Sequence, residues 1–234
     1  MNSEKLSLRL ERVASYIPKG SVLADIGSDH AYLPCYCILN GIASSAIAGE
    51  VVEGPFQSAK KQVKQNGLEE RISVRKGNGL EVIEPGEVDC ITIAGMGGPL
   101  IASILEEGKE KLADVKKLIL QPNIGAISIR EWLIENGWEL KEEEILEEDG
   151  KVYEILAAEQ GNPNKPYLNL DRDLLMGPFL IKDQNAPFRK KWQAEVTQWK
   201  NILNQLQGAG DNEKTSERKQ EITKKIQLVE EVLD

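Results

Sequence analysis

A short apolar run near the start of this sequence ends on an acid, and more polar residues follow it at once. The stretch 22–34 reads V-L-A-D-I-G-S-D-H-A-Y-L-P. Its polar side chains are Asp25, Ser28, Asp29, His30 and Tyr32. Gly27 has no Cβ, so a ligand can approach the backbone closely at this point. We infer that a strand ends here beside a ligand with positive charge and hydroxyl groups, because carboxylates attract such groups.

The residues after this strand do not suit a nicotinamide dinucleotide. That ligand is held by G-x-G-x-x-G, whose glycines place a pyrophosphate at a helix N-terminus. In this chain the positions after Gly27 are Ser28, Asp29, His30 and Ala31. The acids of the loop would repel a pyrophosphate, so the stretch argues against a nicotinamide oxidoreductase.

The next three apolar runs also end on groups that could bind a nucleoside. Glu50 ends A-I-A-G-E, where a carboxylate can accept ribose hydroxyls, and Asn78 in R-K-G-N-G-L can bind an adenine edge. The fourth run ends in the bare backbone of residues 94–97, A-G-M-G. S-adenosylmethionine has a sulfonium, an ammonium and ribose hydroxyls but no phosphate. The sequence therefore predicts this ligand, and methyl transfer as the chemistry.

Apolar runs and amphipathic stretches alternate up to about residue 160, and this rhythm predicts the elements that position those groups. The predicted strands are 21–26, 45–49, 71–75, 89–94, 117–121, 138–146 and 151–158. The predicted helices are one that carries Leu6, Leu10 and Val13, and 30–40, 54–66, 97–107 and 126–136. Asp149-Gly150 is a hairpin turn signal. The pattern indicates an α/β fold: a doubly wound, mostly parallel, seven-stranded sheet with an antiparallel hairpin at its end.

The C-terminal part, residues 161–234, has a different pattern from the domain predicted for residues 1–160. Apolar residues step by four and three along two stretches, which is a heptad pattern. They are Trp192, Val196, Trp199, Leu203 and Leu206, then Ile222, Ile226, Val229 and Leu233. With a turn at 208–212 between them, these stretches predict an antiparallel helical hairpin, a coiled-coil arm.

Composition narrows the classes of protein. The net charge is −9 at pH 7, which argues against a nonspecific nucleic-acid binder. The chain contains no apolar stretch near the roughly 20 residues of a membrane span. Its cysteines, Cys35, Cys37 and Cys90, lack metal spacing and are expected to be reduced, buried thiols. We expect a cytoplasmic monomer without a metal.

Several stretches resemble one family closely. The matching segments are L-S-L-R-L-E-R-V-A-S-Y-I at 6–17, A-D-I-G-S-D-H-A-Y-L-P at 24–34, I-A-G-M-G-G at 93–98, L-I-L-Q-P-N at 118–123 and R-E-W-L-I-E-N-G-W at 130–138. In these the chain resembles the bacterial tRNA (adenine-N1)-methyltransferases that modify position 22, a group of class I S-adenosylmethionine-dependent methyltransferases. The resemblance spans nearly the whole chain. It implies a Rossmann-like catalytic domain, a coiled-coil tail and N1 methylation of adenosine.

The resemblance implies where the cofactor lies. The cofactor-binding residues that we expect are Asp25, Gly27, Ser28, His30, Glu50, Val51, Asn78, Gly79, Ala94, Gly95, Met96 and Gly97. One departure from the wider class is that Asp29 and Ala31 replace the usual second and third loop glycines. Asp29 therefore faces either cofactor or substrate. His30 either binds cofactor or shapes the loop through hydrogen bonds.

Asp29 and Tyr32 are the expected catalytic residues. The N1 lone pair of adenine lies in the ring plane and needs no base before attack, so catalysis would be positioning and electrostatics. The carboxylate of Asp29 would favour the cationic product ring, and Tyr32 either packs or contacts the base. N6 methyltransferases carry Asn-Pro-Pro-Tyr or a variant after the fourth strand. The A-G-M-G of this chain argues against N6 chemistry.

Basic residues beside aromatics could hold the RNA. The expected RNA-binding residues are Lys5, Arg9, Arg12, Arg189, Lys190 and Lys191. For residues 189–191 a solvated helix face is the alternative, and Trp192 fits the helix seam better than a base stack. Two other functions stay open: a methyltransferase of small molecules, and a non-enzymatic module that binds RNA or protein under control of S-adenosylmethionine.

Overall fold

A computed structural model describes residues 5–207 and 213–234, and these residues form a sheet of seven strands. The strands are β1 (Ser21–Ile26), β2 (Ala43–Glu50), β3 (Ile72–Lys76), β4 (Cys90–Gly97), β5 (Lys117–Ile124), β6 (Trp138–Glu148) and β7 (Lys151–Gln160). Their order across the sheet is β3-β2-β1-β4-β5-β7-β6. The predicted α/β sheet is confirmed, with each strand within a few residues of its expected bounds.

The strands from β1 to β5 pair in parallel, and β7 reverses direction between β5 and β6. Asp149 and Gly150 have φ of 50° and 76° in the turn between β6 and β7, as the hairpin signal predicts. Strand order changes direction at β1, where β2 lies on one side and β4 on the other. In a sheet of this kind, ligands bind beyond the carboxyl ends of the strands at such a point.

Helices cover both faces of the sheet. The helices of the first part are α1 (Leu8–Ser15), α2 (Tyr32–Leu39), α3 (Glu53–Gln65), α4 (Gly98–Glu107) and α5 (Ala126–Glu135). One buried cluster joins α1, α2 and α3 to the sheet, and a second joins α4 and α5 to its other face. Parallel strands covered on both faces are apolar along most of their length, which explains why β1, β4 and β5 could be recognised from the sequence.

The first helix is fixed at its start by the far edge of the sheet. The hydroxyl of Ser7 accepts a hydrogen bond from the backbone N–H of Leu10, as an N-cap does. The carboxylate of Glu148, at the end of β6, accepts from the N–H groups of Leu8 and Arg9 at 2.5 and 3.3 Å. These contacts place Arg9 over the carboxyl end of the sheet.

The C-terminal part contains α6 (Leu170–Met176), α7 (Leu180–Asp183), α8 (Ala186–Gln207) and α9 (Glu213–Leu233). The seam residues of α8 and α9 form a third buried cluster, which also takes in Ile145 of β6. A guanidinium nitrogen of Arg189, near the start of α8, donates to the carbonyl of Leu233 at the end of α9 at 3.1 Å. The two helices are therefore antiparallel, as predicted, and Trp192 is buried in their seam. The expected turn at 208–212 lies outside the described residues.

A buried ion cluster connects the C-terminal helices to the sheet. Arg130 of α5 is fully buried and donates to Glu143 of β6 at 2.7 Å and to Glu154 of β7 at 2.6 Å. Burial lowers the pKa of Arg130, but the two carboxylates outweigh burial and raise it. Lys191 of α8 donates to the second oxygen of Glu154, and the N–H of Phe179 donates to Glu143 at 3.0 Å. Sequence reasoning did not find this cluster.

Three further observations concern the expected absences and the cysteines. Within residues 5–207 and 213–234 we find no helix long and apolar enough to span a bilayer. The same residues contain no group of three or more His, Cys, Asp or Glu side chains placed to hold a metal ion. The three cysteines are buried free thiols, and burial raises the pKa of Cys35 to about 11.

The ion cluster yields a stability prediction. Replacing Arg130 with Ala leaves Glu143 and Glu154 buried without their shared cation, which costs about 3–5 kcal/mol. The matched control is Lys200→Ala, because the pair of Lys200 with Glu230 also joins two elements but is exposed. Loss of an exposed pair costs at most about 1 kcal/mol. Urea unfolding of both variants measures the difference, and an equal loss of unfolding free energy would contradict the role of the cluster.

Candidate active site

A cavity of about 240 Å³ opens at the carboxyl ends of β1 and β4. The predicted site residues that line it are Arg9, Asp25, Gly27, Ser28, Asp29, Tyr32, Ala94, Gly95 and Met96. They come from α1, the loop after β1, the start of α2 and the end of β4. The structure therefore brings the first and fourth strand ends together at the point where strand order changes direction.

Asp25 is the buried anchor of this cavity. Only 4% of its surface is exposed. Its carboxylate accepts hydrogen bonds from the hydroxyls of Ser28 and Thr92, both at 2.6 Å. Burial raises the pKa of Asp25, and the two hydroxyls partly offset that rise. Asp25 thus fixes the loop after β1 to β4 and places one buried acid beneath the cavity.

The loop after β1 has an unusual backbone. Asp29, His30 and Ala31 all have positive φ, of 35°, 53° and 54°, after Gly27 at 69°. Positive φ is uncommon outside glycine and clusters at functional sites, where surrounding contacts hold it. This is why α2 begins at Tyr32, two residues later than its predicted start at residue 30.

Glu50, at the end of β2, provides a second contact that holds this loop. Its carboxylate accepts a hydrogen bond from the backbone N–H of Asp29. Glu50 is buried, and burial raises the pKa of its carboxyl group, with a smaller upward effect from the charges of Asp29 and Asp25. One oxygen of Glu50 is therefore committed to the protein backbone, which the sequence did not indicate.

The side chains of the loop lie against one another at the cavity mouth. Asp29 is 71% exposed, and its carboxylate lies 3.3 Å from Nε2 of His30. The ring of His30 stacks on Tyr32 with centroids 5.3 Å apart. His30 thus contacts two side chains of its own loop, and both of its predicted roles, cofactor binding and shaping of the loop, stay predictions. Tyr32 both stacks and lines the cavity.

Other predicted cofactor residues lie outside this cavity. Asn78 lines a separate cavity of about 210 Å³ together with Ile104. A Cβ on Gly79, whose φ is 53°, would lie 3.0 Å from that isoleucine. Val51, just after β2, is 56% exposed, and Gly97 caps α4. The structure does not bring these residues into contact with Asp25.

The backbone at the end of β4 is held from β5 by two side chains that sequence reasoning missed. The N–H of Gly95 donates to Oε1 of Gln121 at 3.0 Å, and the carbonyl of Gly95 accepts from Nδ2 of Asn123 at 2.7 Å. Arg9 donates to the same oxygen of Gln121. Gln121 and Asn123 come directly after the apolar run of β5. Glu50 and Asn78 were predicted because they follow an apolar run in the same way, so the same criterion would have found these two residues.

The expected RNA-binding residues are engaged within the protein to different degrees. Arg9 lies in the cavity, with its guanidinium 5.2 Å from the ring centroid of Tyr153. Arg12 forms a paired contact with Glu144 at 2.8 Å, and Lys190 pairs with Glu147 at 2.6 Å. Lys191 belongs to the buried ion cluster, and Lys5 is exposed. RNA binding by these residues, and by Arg189, stays a prediction.

The polar groups at these strand ends fit S-adenosylmethionine. Two buried acids, Asp25 and Glu50, suit a cationic ligand with hydroxyls, and no phosphate-binding glycine pattern is present in the sequence. A Cβ on Gly27 would come within 2.1 Å of Cε of Met96, so the absence of a side chain here lets Met96 of β4 pack against the loop after β1. With the strand order and the reversed β7, these features define a class I S-adenosylmethionine-dependent methyltransferase.

Comparison with known proteins identifies the family of methyltransferases to which this chain belongs. The family model described as tRNA (adenine(22)-N(1))-methyltransferase matches residues 23–231. The tRNA (adenine(22)-N(1))-methyltransferase of Bacillus subtilis (strain 168) is 55% identical over 100% of this chain and 99% of its own length. This chain belongs to the tRNA (adenine(22)-N(1))-methyltransferase family.

Solved structures agree with this assignment. The crystal structure of the Bacillus subtilis M1A22 tRNA methyltransferase has a TM-score of 0.96 at 54% identity, covering 99% of this chain and 100% of that one. A Streptococcus pneumoniae protein, solved in complex with S-adenosyl-L-methionine, has a TM-score of 0.88 at 47% identity. That match covers 98% of this chain and 100% of the other.

The contacts of Gln121 lead to a prediction. Gln121→Leu keeps the size of a fully buried side chain but leaves the N–H of Gly95 and the guanidinium of Arg9 without their acceptor. Both hydrogen bonds are partly shielded from water, and each contributes about 0.5–1.5 kcal/mol. We expect kcat for methyl transfer to fall by roughly tenfold or more, since 1.4 kcal/mol corresponds to tenfold.

Gln160→Leu is the matched control for this variant. Gln160 also donates from its amide to backbone carbonyls, but it lies at the opposite end of the sheet. Its replacement should leave kcat unchanged. Thermal melting of both variants measures how much stability each has lost. Equal kcat for Gln121→Leu and wild type would show that Gln121 does not position the β4 end.

Proposed function

We propose that this protein transfers the methyl group of S-adenosylmethionine to N1 of adenine 22 in tRNA. The observation that carries the proposal is its full-length membership of the tRNA (adenine(22)-N(1))-methyltransferase family. The acid-lined cavity at the strand ends supports it. The protein would act in the cytoplasm, where its tRNA substrate is present.

The residues of three strand ends would hold the cofactor. Asp25 and the backbone at Gly27 would face its positively charged end, and the free oxygen of Glu50 would accept a ribose hydroxyl. Asn78 would bind the adenine edge, although in this structure it lies in its own cavity. When bound, S-adenosylmethionine supplies a methyl carbon that is made electrophilic by the sulfonium.

The target adenine would enter beside the end of β4. Its N1 has a free lone pair in the ring plane, so the protein needs only to orient the base and exclude water. The product ring carries a positive charge, and the exposed carboxylate of Asp29 at the cavity mouth would stabilise that charge. Tyr32, stacked on His30 and facing the cavity, would contact the base.

The bonding of the β4 end supports attack by N1 rather than by the exocyclic N6. Enzymes that methylate N6 usually carry Asn-Pro-Pro-Tyr or a variant after the fourth strand. In this protein the carbonyl of Gly95 already accepts from Asn123, and its N–H is bound to Gln121. Residues 94–97 provide no polar side chain at this point.

Contacts away from the cavity would bind the body of the tRNA. Turning a base out of its stack costs a few kcal/mol, which other contacts must supply. Candidates are Lys5, Arg9 and Arg12 around the first helix and residues 189–191 at the start of α8. The helices of residues 161–234 would serve as an RNA-binding arm. A single copy of the chain would suffice for this function.

Transfer of labelled methyl groups to a tRNA transcript tests the function. We expect incorporation that maps to 1-methyladenosine at position 22 and disappears when adenosine 22 is replaced by guanosine. Transfer to a small metabolite but not to tRNA would favour a small-molecule methyltransferase. Tight tRNA binding without transfer under any condition would favour a non-enzymatic module.

The raised pKa of Glu50 predicts how cofactor affinity depends on pH. The ionised carboxylate is the form that accepts hydroxyls, and burial raises its pKa above the ordinary 4.5. Cofactor affinity should therefore weaken as pH falls from neutral through this raised pKa, and recover above it. Asp25, whose pKa is raised in the same direction, adds to the effect.

Calorimetric titration of the cofactor from pH 7.5 to 5 measures this dependence. Glu50→Gln keeps an oxygen for the N–H of Asp29 but no longer titrates, so its affinity should be lower and less dependent on pH. An unchanged pH profile in Glu50→Gln would contradict the assignment. Glu50→Ala should weaken cofactor affinity most.

Asp29 gives a prediction on turnover. Its side chain is largely exposed and its backbone, not its carboxylate, bonds to Glu50. Asp29→Ala should therefore keep cofactor affinity within about tenfold, that is within 1.4 kcal/mol, while most turnover is lost. Asp29→Asn separates charge from size, and should also lose turnover. If cofactor affinity falls by much more than tenfold while turnover at saturating cofactor stays normal, Asp29 is a cofactor residue instead.

A further inference from the structure

Ile124, the last residue of β5, is a large apolar side chain that points into solvent. It is 76% exposed. A single exposed apolar residue is ordinary on a protein surface and carries no conclusion alone. Its position is what matters, because in the sheet Ile124 pairs with Gly97, at the end of the β4 segment that forms part of the methyl-transfer site.

The backbone that carries Ile124 is held firmly. Asn123, next to it, donates to the carbonyl of Gly95, so the ends of β4 and β5 are tied together. On the other side, Gly125 has a φ of 72° and packs against Gly98. A Cβ on Gly98 would lie only 1.9 Å from the carbonyl oxygen of Gly125. The backbone on each side of Ile124 is therefore held against the end of β4 or the start of α4.

The surroundings of Ile124 are open rather than packed. It lines a second cavity, of about 210 Å³, between the end of β5 and α8. Val152, Glu154 and Lys191 form the far wall of this cavity. Ile124 therefore adjoins the end of β4 on one side and, across this second cavity, faces the start of α8.

We propose that Ile124 is an intercalating side chain that inserts into the base stack of the substrate RNA where the target adenine leaves it. This inference rests on the proposed function, because it requires a structured RNA substrate. A base must be unstacked before it can enter a pocket of this kind. Proteins that unstack bases insert apolar side chains such as isoleucine, leucine or phenylalanine into the gap.

The charge of the protein favours an apolar contact at this point. With a net charge of −9, the protein has little general attraction for the phosphate backbone. The charged residues that line the second cavity are Glu154, Glu195 and Lys191, and Lys191 is bonded to the buried carboxylate of Glu154. An isoleucine that fills the vacated stack stabilises the turned-out base without any free positive charge.

The test compares two variants on two RNAs. Leu168→Ala is the matched control for Ile124→Ala, because Leu168 is 86% exposed and lines neither cavity. One RNA is the tRNA transcript. The other is the same transcript with an abasic residue next to the target, which already unstacks the adenine on one side.

Ile124→Ala should lower kcat/KM on the intact transcript by about tenfold or more, since tenfold corresponds to 1.4 kcal/mol. On the abasic RNA its loss should be much smaller. Ile124→Phe should retain activity on both RNAs, and Leu168→Ala should match wild type. A second readout needs no turnover: 2-aminopurine at the target position should brighten on binding wild type and stay dim with Ile124→Ala at saturating protein.

Three outcomes would overturn the inference. Wild-type kcat/KM for Ile124→Ala on the intact transcript would show that the side chain is not needed. An equal loss on both RNAs would mark a general docking contact. If the wild-type protein methylates neither RNA but binds the cofactor, the proposed function itself fails and the inference with it.

Discussion

The hydrogen bond from the backbone N–H of Asp29 to the carboxylate of Glu50 is the contact on which the site depends. It joins the ends of two neighbouring parallel strands, and it holds residues 29–31 in a backbone conformation that their side chains disfavour. Without it the loop could extend α2 backwards, and Asp29 would leave the cavity mouth. One carboxylate thus serves the fold and, in our proposal, the ribose of the cofactor.

The end of β4 is also held by hydrogen bonds from its backbone to side chains of a neighbouring strand, but these side chains are neutral amides. Both polar atoms of the Gly95 peptide are bonded to side chains of β5, and the same glutamine oxygen accepts from Arg9. This oxygen has only donors around it, so the orientation of the Gln121 amide is determined by its partners. The cavity between the two fixed strand ends is therefore pre-organised, which is how a methyltransferase without an acid–base step would lower its barrier.

Sequence alone predicted the central strands because β1, β2, β4 and β5 contain short apolar runs that end on an acid, a glycine or an amide. The Asp149-Gly150 turn signal indicated the hairpin of β6 and β7. The seams of α8 and α9 were equally clear from heptad spacing. The helices α6 and α7 were missed, since each is short and the stretch around them mixes polar and apolar residues without a period. Asp25, Gly27 and residues 94–96 were predicted from strand ends and do meet in one cavity.

Other features of the site could not be predicted, because they depend on distant parts of the chain. The positive φ of Ala31 has no signal in its residue type. The burial of Arg130 beside Glu143 and Glu154 requires three elements to pack before the charges meet. The partners of Arg12 and Lys190 lie more than forty residues away in sequence, so their ion pairs were invisible in a local reading.

A crystal structure of the protein with bound S-adenosylmethionine would show whether Glu50 joins the loop after β1 to the ribose of the cofactor. We expect a ribose hydroxyl within hydrogen-bond distance of Glu50, while the N–H of Asp29 stays bonded to the same carboxylate. The sulfonium would lie between Gly27 and the end of β4. A ligand bound away from these strand ends, or a Glu50 side chain turned away from both the loop and the ribose, would contradict it.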